Sequence, residues 1–281
     1  MPELPEVEHT RRNLERWMRG ARIESVETDD ARIVRPKTPR AFVSALERRT
    51  TLRIERRGKW LRLTLDDGRR LFVHLGMTGW FERGAPGDPA LRFDRVRFGL
   101  LRRGRRSRVV YVDPRRWGRM IVSEEDIPAW TALGPDPLDD GIDLARLEEK
   151  LARRKKRSIK EVLMDQKVLA GVGNIQAIEA LWKAGIHPRS EARAISKTDL
   201  RAIARGLRWT IDRTLGDLAK SGMGGDSPFR IYGRKGQPCP RCGDGLESFV
   251  LGGRTTIACP GCQDLRGGPR SRRRAARTTA R

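Results

Sequence analysis

Four cysteines fall in two pairs, Cys239-Pro-Arg-Cys242 and Cys259-Pro-Gly-Cys262, with 16 residues between the pairs. Each C-x2-C knuckle lets two thiolates reach one ion from a tight turn, and two knuckles close a tetrahedral shell. A closed four-thiolate shell leaves no position for water. The metal expected on Cys239, Cys242, Cys259 and Cys262 is therefore a single structural Zn2+. Residues 246–257 alternate enough for a two-stranded hairpin between the knuckles. Such a ribbon has too little core to fold alone, so metal binding would supply its folding free energy.

A second chemistry lies at the start of the chain. Met1 precedes Pro2, and an initiator methionine before a small residue is normally removed. The chain would then begin with a secondary amine of pKa about 8, partly neutral near pH 7. That amine can attack a carbonyl-like carbon and give an iminium ion, an electron sink without a cofactor. Glu3 and Glu6 lie beside it for acid–base work. The same residues also make an ordinary helix start, with proline and acids in the first turn.

Charge narrows the choice of partner. Lys and Arg number 60 against 36 Asp and Glu, a net charge of +24, and only 11 of the 60 are lysine. The excess is spread along the chain with no long basic amphipathic helix. This favours nucleic acid over an anionic membrane surface or an acidic protein; a solvated basic surface is the plain alternative. No window approaches the roughly 18–20 apolar residues of a membrane span, and no secretory signal is visible. The chain is expected to be cytoplasmic and nucleoid-associated, a monomer with no membrane partner. Seven tryptophans and seven phenylalanines argue against wholesale disorder, because they need cores to sit in. Four cysteines in a cytosolic chain of 281 residues do not read as a disulfide framework.

The elements that must position these groups follow from periodicity. Val7, Leu14, Trp17 and Met18 recur near helical spacing in residues 2–18. From Arg22 to Val122 the pattern turns to short strands at Ile23–Val26, Leu52–Ile54, Leu61–Leu65, Leu71–His74 and Val109–Val112, a β-sandwich or barrel. Pro128, Gly134, Pro135, Pro137 and Gly141 mark a linker near 124–142. Helices are predicted over Ser158–Lys167, over Asn174–Ala184, and from the capping box Ser196–Asp199 through Leu215. Beyond Gln263 the chain is Arg-rich, without large apolar residues after Leu265, and is expected to be disordered.

Met-Pro-Glu-Leu-Pro-Glu-Val-Glu at the start resembles the N-terminal signature of the formamidopyrimidine-DNA glycosylase and endonuclease VIII family. The likeness continues through Arg56–Lys59, His74–Gly79, Asp113–Gly118, Leu133–Pro135, Leu163–Gln166, Gly171–Ile175, Ala184–Pro188, Tyr232–Gly236 and the four cysteines with Arg254. It covers nearly everything from Pro2 to Gln263. Leu4, where the endonuclease VIII branch usually has Gly, points to the formamidopyrimidine branch.

The resemblance implies an α+β multidomain fold. An N-terminal β-sandwich with an N-terminal helix (2–125) would be followed by a helix-two-turn-helix domain (135–220), a β-hairpin zinc ribbon (230–263) and a basic tail (264–281). It implies excision of oxidised purines (8-oxoguanine, formamidopyrimidines) from damaged double-stranded DNA, with abasic-site lyase activity by β,δ-elimination. Pro2 resembles the nucleophile that attacks C1′, and Glu3 the acid that assists sugar opening. Lys59 resembles the lysine of β-elimination and Arg254 the arginine of δ-elimination. Met77, Arg115 and Trp117 match residues that fill the hole left by a flipped base. Glu6, His74, Asn174 and the basic run Arg153–Arg157 with Lys155 and Lys160 complete the expected DNA contacts.

Departures from the family pattern bear on lesion range. Trp117 replaces a common Phe, and Phe93-Asp94-Arg95 replaces a usual Lys-His-Asp-His. Gln176 and Ile178 replace Tyr and Ala or Ser, and the stretch 218–230 is short. The alternatives are an endonuclease VIII-like preference for oxidised pyrimidines and a non-catalytic damaged-DNA-binding homologue.

Overall fold

Pro5 lies in the first turn of helix α1 (Leu4–Met18), where a missing N–H costs nothing. The Glu3 N–H donates to Glu6 Oε2 at 2.8 Å, closing the helix start. Leu4, Val7, Leu14 and Met18 form the buried stripe of the helix. The computed structural model describes residues 2–154, 157–224 and 229–267. The chain divides after Ala132 into two compact units.

After α1 the first unit runs through strand β1 (Arg22–Glu27), helix α2 (Pro39–Leu46), strands β2 (Thr51–Arg57), β3 (Trp60–Leu65), β4 (Arg70–His74), β5 (Trp80–Gly84), β6 (Asp94–Arg102), β7 (Arg105–Val112) and β8 (Arg119–Ser123), and helix α3 (Pro128–Thr131). Two antiparallel four-stranded sheets result, ordered β1-β6-β7-β5 and β2-β3-β4-β8. Leu61, Leu63 and Leu65 of one sheet and Val96, Phe98 and Leu100 of the other share a core with Leu14 and Phe42. This is the expected β-sandwich. Strands β5, β6 and β8 and helix α2 went unpredicted. In β6 the apolar residues at every second position are separated by Arg95, Arg97 and Gly99, so outward arginines mask a strand that is apolar on one face only.

The second unit carries helices α4 (Leu144–Ala152), α5 (Ile159–Leu163), α6 (Asn174–Ala184) and α7 (Lys197–Ser221), then strands β9 (Glu247–Leu251) and β10 (Arg254–Ala258). Helix α4 follows directly on the predicted linker. Helix α5 begins at its predicted cap, Ser158, but stops at Leu163 instead of Lys167. The Asp165 carboxylate accepts the Lys167 N–H at 3.0 Å, a local bond that competes with helix continuation. Helix α6 ends where Gly185 takes φ +73°, the left-handed conformation that suits glycine. Ile178, Trp182, Ile231, Leu246 and Ile257 build a small core under the cysteine ribbon.

The chain does not leave the second unit at Gln263. Asp264 N–H donates to Gly185 O at 2.9 Å, and Arg266 pairs with Asp199 at 3.1 Å. The expectation of a disordered tail from residue 264 is corrected for 264–267, because these bonds hold that segment in place. Residues 268–281 lie outside the described residues, as do Met1 and Lys155. Among the described residues, no helix is long and apolar enough to cross a membrane.

Candidate functional site

In the first unit Pro2 and Glu3 are buried at the head of α1. The Glu6 carboxyl is pushed up from the ordinary range by burial and by the neighbouring Glu3 charge. The next turn of α1 carries Glu8, which meets Arg56 of β2 at 3.2 Å. Burial opposes the Glu8 charge, yet bonds from Arg11 and Arg12 and the Arg56 charge hold its carboxyl below the usual range. Arg56 also donates to Gly58 O at 3.3 Å. The helix bearing Pro2 is thus tied to the β2–β3 turn bearing Lys59, where Gly58 takes φ +57°. Sequence reasoning missed this pair. Breaking a buried ion pair costs about 3–5 kcal/mol, so Glu8 and Arg56 position the turn.

His74 ends β4, opposite Trp60 of β3 and Arg119 of β8. Its Nδ1 accepts the Gly76 N–H at 3.1 Å, which leaves the proton on Nε2 as a donor for an anion. Burial, then the charges of Lys59 and Arg119, push the His74 imidazole down to about 4. His187 in the second unit is also pushed down to about 4, by burial and Arg189. A histidine that charges near 6.5 when unfolded but near 4 when folded gives stability that is complete above about pH 6.5 and fades as pH falls toward 4. The melting temperature is expected to drop through that window. His74→Gln should flatten the drop, and an equally steep drop in that variant would contradict the assignment.

Met77 sits in the turn after β4, and Arg115 and Trp117 sit in the turn after β7. The Arg115 guanidinium lies 4.1 Å over the Trp117 ring, and Trp117 is 55% exposed. An exposed tryptophan capped by arginine is a stacking surface with a hydrogen-bonding tip.

In the second unit three of the expected residues converge on the β9–β10 hairpin. Gly252 and Gly253 both take positive φ, the backbone of a tight two-residue hairpin turn, and the exposed Arg254 follows at once. Asn174, at the start of α6, donates from Nδ2 to Thr255 O at 2.9 Å; an amide has a second N–H for another acceptor. Lys160 of α5 is 1% exposed, and its ammonium donates to Thr256 Oγ1 at 2.8 Å and Leu251 O at 3.4 Å. The expectation that Lys160 belongs to a DNA-backbone-contacting basic run is corrected: it is a buried grip on the hairpin, because the helix turns it inward from Arg157.

The four cysteine sulfurs lie within 4.8 Å of one another. A tetrahedral ion at about 2.3 Å from each sulfur needs them about 3.8 Å apart, so the set fits a metal ion. The surroundings suit thiolates: Trp182 Nε1–H donates to Cys239 Sγ at 3.4 Å. Gln263 caps the second knuckle, accepting the Cys259 N–H at 2.7 Å and donating to Ile186 O at 2.9 Å.

A sequence model described as the formamidopyrimidine-DNA glycosylase N-terminal domain matches residues 1–120, and one described as the H2TH domain of the same glycosylase matches 133–223. The chain belongs to the formamidopyrimidine-DNA glycosylase family. A curated formamidopyrimidine-DNA glycosylase from Methylococcus capsulatus is 41% identical, with 94% of this chain and all of that one covered. A crystal structure of Lactococcus lactis Fpg with abasic-site DNA superposes with a TM-score of 0.84 at 30% identity, covering 93% of this chain and 99% of that one. The same protein with Fapy-dG DNA gives 0.83 at 29% identity, with the same coverage. Against this family background one departure has a place: Gln176 is buried and donates to Thr214 Oγ1 of α7 at 3.3 Å. A second acid missed from sequence is Glu179 of α6, also buried. It accepts the N–H groups of Arg230, Ile231 and Tyr232, each at 2.9 Å. Burial pushes its carboxyl up against these bonds, and it fixes the entry to the Tyr232–Gly236 motif.

Proposed function

We propose that the chain is a base-excision DNA glycosylase that removes oxidised purines from duplex DNA and then cleaves the abasic site as a lyase. The observation that carries this reading is Pro2, set behind a removable methionine at the head of a buried helix start with Glu3 and Glu6, in a chain of this family. The Pro2 amine attacks C1′, the C1′–N bond breaks, and the base leaves with the bonding pair. Glu3 protonates the ring oxygen as the sugar opens and the iminium forms. Loss of a C2′ proton then expels the 3′ phosphate, with Lys59 serving this β-elimination. A second elimination expels the 5′ phosphate, with Arg254 gripping the phosphates. Met77, Arg115 and Trp117 fill the vacated stack, and Glu6, His74 and Asn174 serve the lesion strand.

Residues 2–125 are assigned the catalysis, 135–220 and 230–263 the grip on DNA, and the end of the chain a basic tail. The ion on the four cysteines is zinc. It supplies no reaction chemistry and holds the hairpin that bears Arg254. Acting on chromosomal DNA places the protein in the cytoplasm at the nucleoid.

The test uses three duplexes, carrying 8-oxoguanine, an oxidised pyrimidine or an abasic site. Release of 8-oxoguanine, with phosphate on both ends of the resulting gap, is expected. Faster release of the pyrimidine would favour the endonuclease VIII-like alternative, and binding without release the non-catalytic one.

The tail adds a separate expectation. Seven arginines and no acids occupy 266–281, and Arg266 is already paired with Asp199. Truncation after Gly267 keeps that pair and removes the other six. Each phosphate neutralised adds about 0.9 to the slope of log K against log salt, so the truncated chain should bind more weakly at low salt with a flatter slope. An unchanged slope would mark the tail as inert.

A further inference from the structure

The geometry points to Asp113 and Thr78 as positioning residues that join the Met77 turn and the Arg115–Trp117 turn into one rigid wedge. The inference rests on the glycosylase reading above. Asp113 is fully buried. Its Oδ1 accepts the Thr78 hydroxyl at 2.6 Å and the Arg115 N–H at 3.2 Å. Its Oδ2 accepts the Trp117 N–H at 2.9 Å and the Gly118 N–H at 2.8 Å. Two carboxylate oxygens offer about four lone-pair sites, and these four donors converge on them.

Three of the donors belong to the Asp113 turn itself. The fourth, Thr78, comes from the other turn, 35 residues earlier, and sits beside Met77. Tyr111 reinforces the joint, with its Oη 3.2 Å from Leu75 O and 3.4 Å from Asp113 Oδ2. The backbones also touch. A Cβ on Gly76, at φ +67°, would fall 2.5 Å from the Trp117 carbonyl carbon and 2.6 Å from the Gly118 nitrogen. A Cβ on Gly79 or Gly118 would collide with the Tyr111 hydroxyl.

The far side of the Asp113 turn is held as well. Arg116 takes φ +55°, a costly conformation for a residue with a Cβ, and pairs with Asp30 at 2.8 Å. Arg95 Nε donates to Asp113 O at 2.9 Å. Arg115 and Trp117 remain exposed and stacked on each other, on a base that cannot yield. A wedge needs that rigidity, because the displaced stack pushes back with a few kcal/mol per step.

Thr78→Val removes the hydroxyl bond that ties the Met77 turn to the Asp113 carboxylate and keeps the residue's shape. It is expected to lower single-turnover excision of a paired lesion in duplex about tenfold, the order expected for a lost charge-assisted hydrogen bond. Borohydride trapping on a single-stranded abasic site, with no stack to open, should fall much less. Thr78→Ser keeps the hydroxyl and should restore the duplex rate. In a Met77→Ala background, Thr78→Val should cost little more, because the side chain it positions is gone. Additive losses in the double variant, equal losses on duplex and single strand, or a Ser variant as slow as Val would each overturn the joint. A parent chain that forms no adduct and releases no base would sink the glycosylase reading instead.

Discussion

Pro2→Gly is expected to lower base excision by at least about a hundredfold, or about 3 kcal/mol of barrier. The substitution replaces a secondary amine with a primary one and removes the ring that rigidifies the head of α1. Blocking the terminus with a retained Met1 should be more severe, because the nitrogen is then an amide and cannot attack carbon. Borohydride should reduce the intermediate in the parent protein and leave one adduct per chain. Peptide mapping should find it on the residue-2 nitrogen. An adduct on a lysine, Lys59 included, would overturn the assignment. Glu3 adds an internal control: Glu3→Gln should slow adduct formation from an intact lesion more than from a ready-made abasic site, where the base is already gone.

Cys242→Ser is the second large effect. Purified parent protein should carry one zinc per chain, and the variant much less than one. Metal binding supplies the folding free energy of such a ribbon, so residues 230–263 should become protease-sensitive. DNA affinity should fall at least tenfold, since Arg254 loses its hairpin. The first unit, with its own core of Leu14, Phe42, Leu63 and Phe98, should still melt cooperatively. Undiminished DNA binding in a protein without zinc would remove the site.

The elements read correctly from sequence are those whose signals are local. The cysteine spacing, the caps at Ser158 and Ser196 and the glycines bounding α6 each act within a few residues. Strand β6 was missed because its outward face is arginine and its inward face skips every second position. The positioning acids were missed for a different reason. Glu8 meets Arg56 48 residues away, and Glu179 meets the Ile231 backbone 52 residues away. Nothing in their own neighbourhoods separates them from solvated surface charges. Lys160 was misassigned by the same logic: it continues a run of cations in the sequence, and only its remote partners reveal that it is buried.

Those partners also set an order of events during synthesis. The acceptors of the Lys160 ammonium lie 91 and 96 residues downstream, on β9 and β10, and are synthesised long after α5. Until they arrive, α5 holds a cation that cannot be sequestered without loss of its solvation. Lys160 can therefore reach its buried place only after the hairpin has been made, whereas the core that Ile159, Val162 and Leu163 share with α6 and α7 needs nothing from it. A product cut short anywhere before Thr256 keeps this defect.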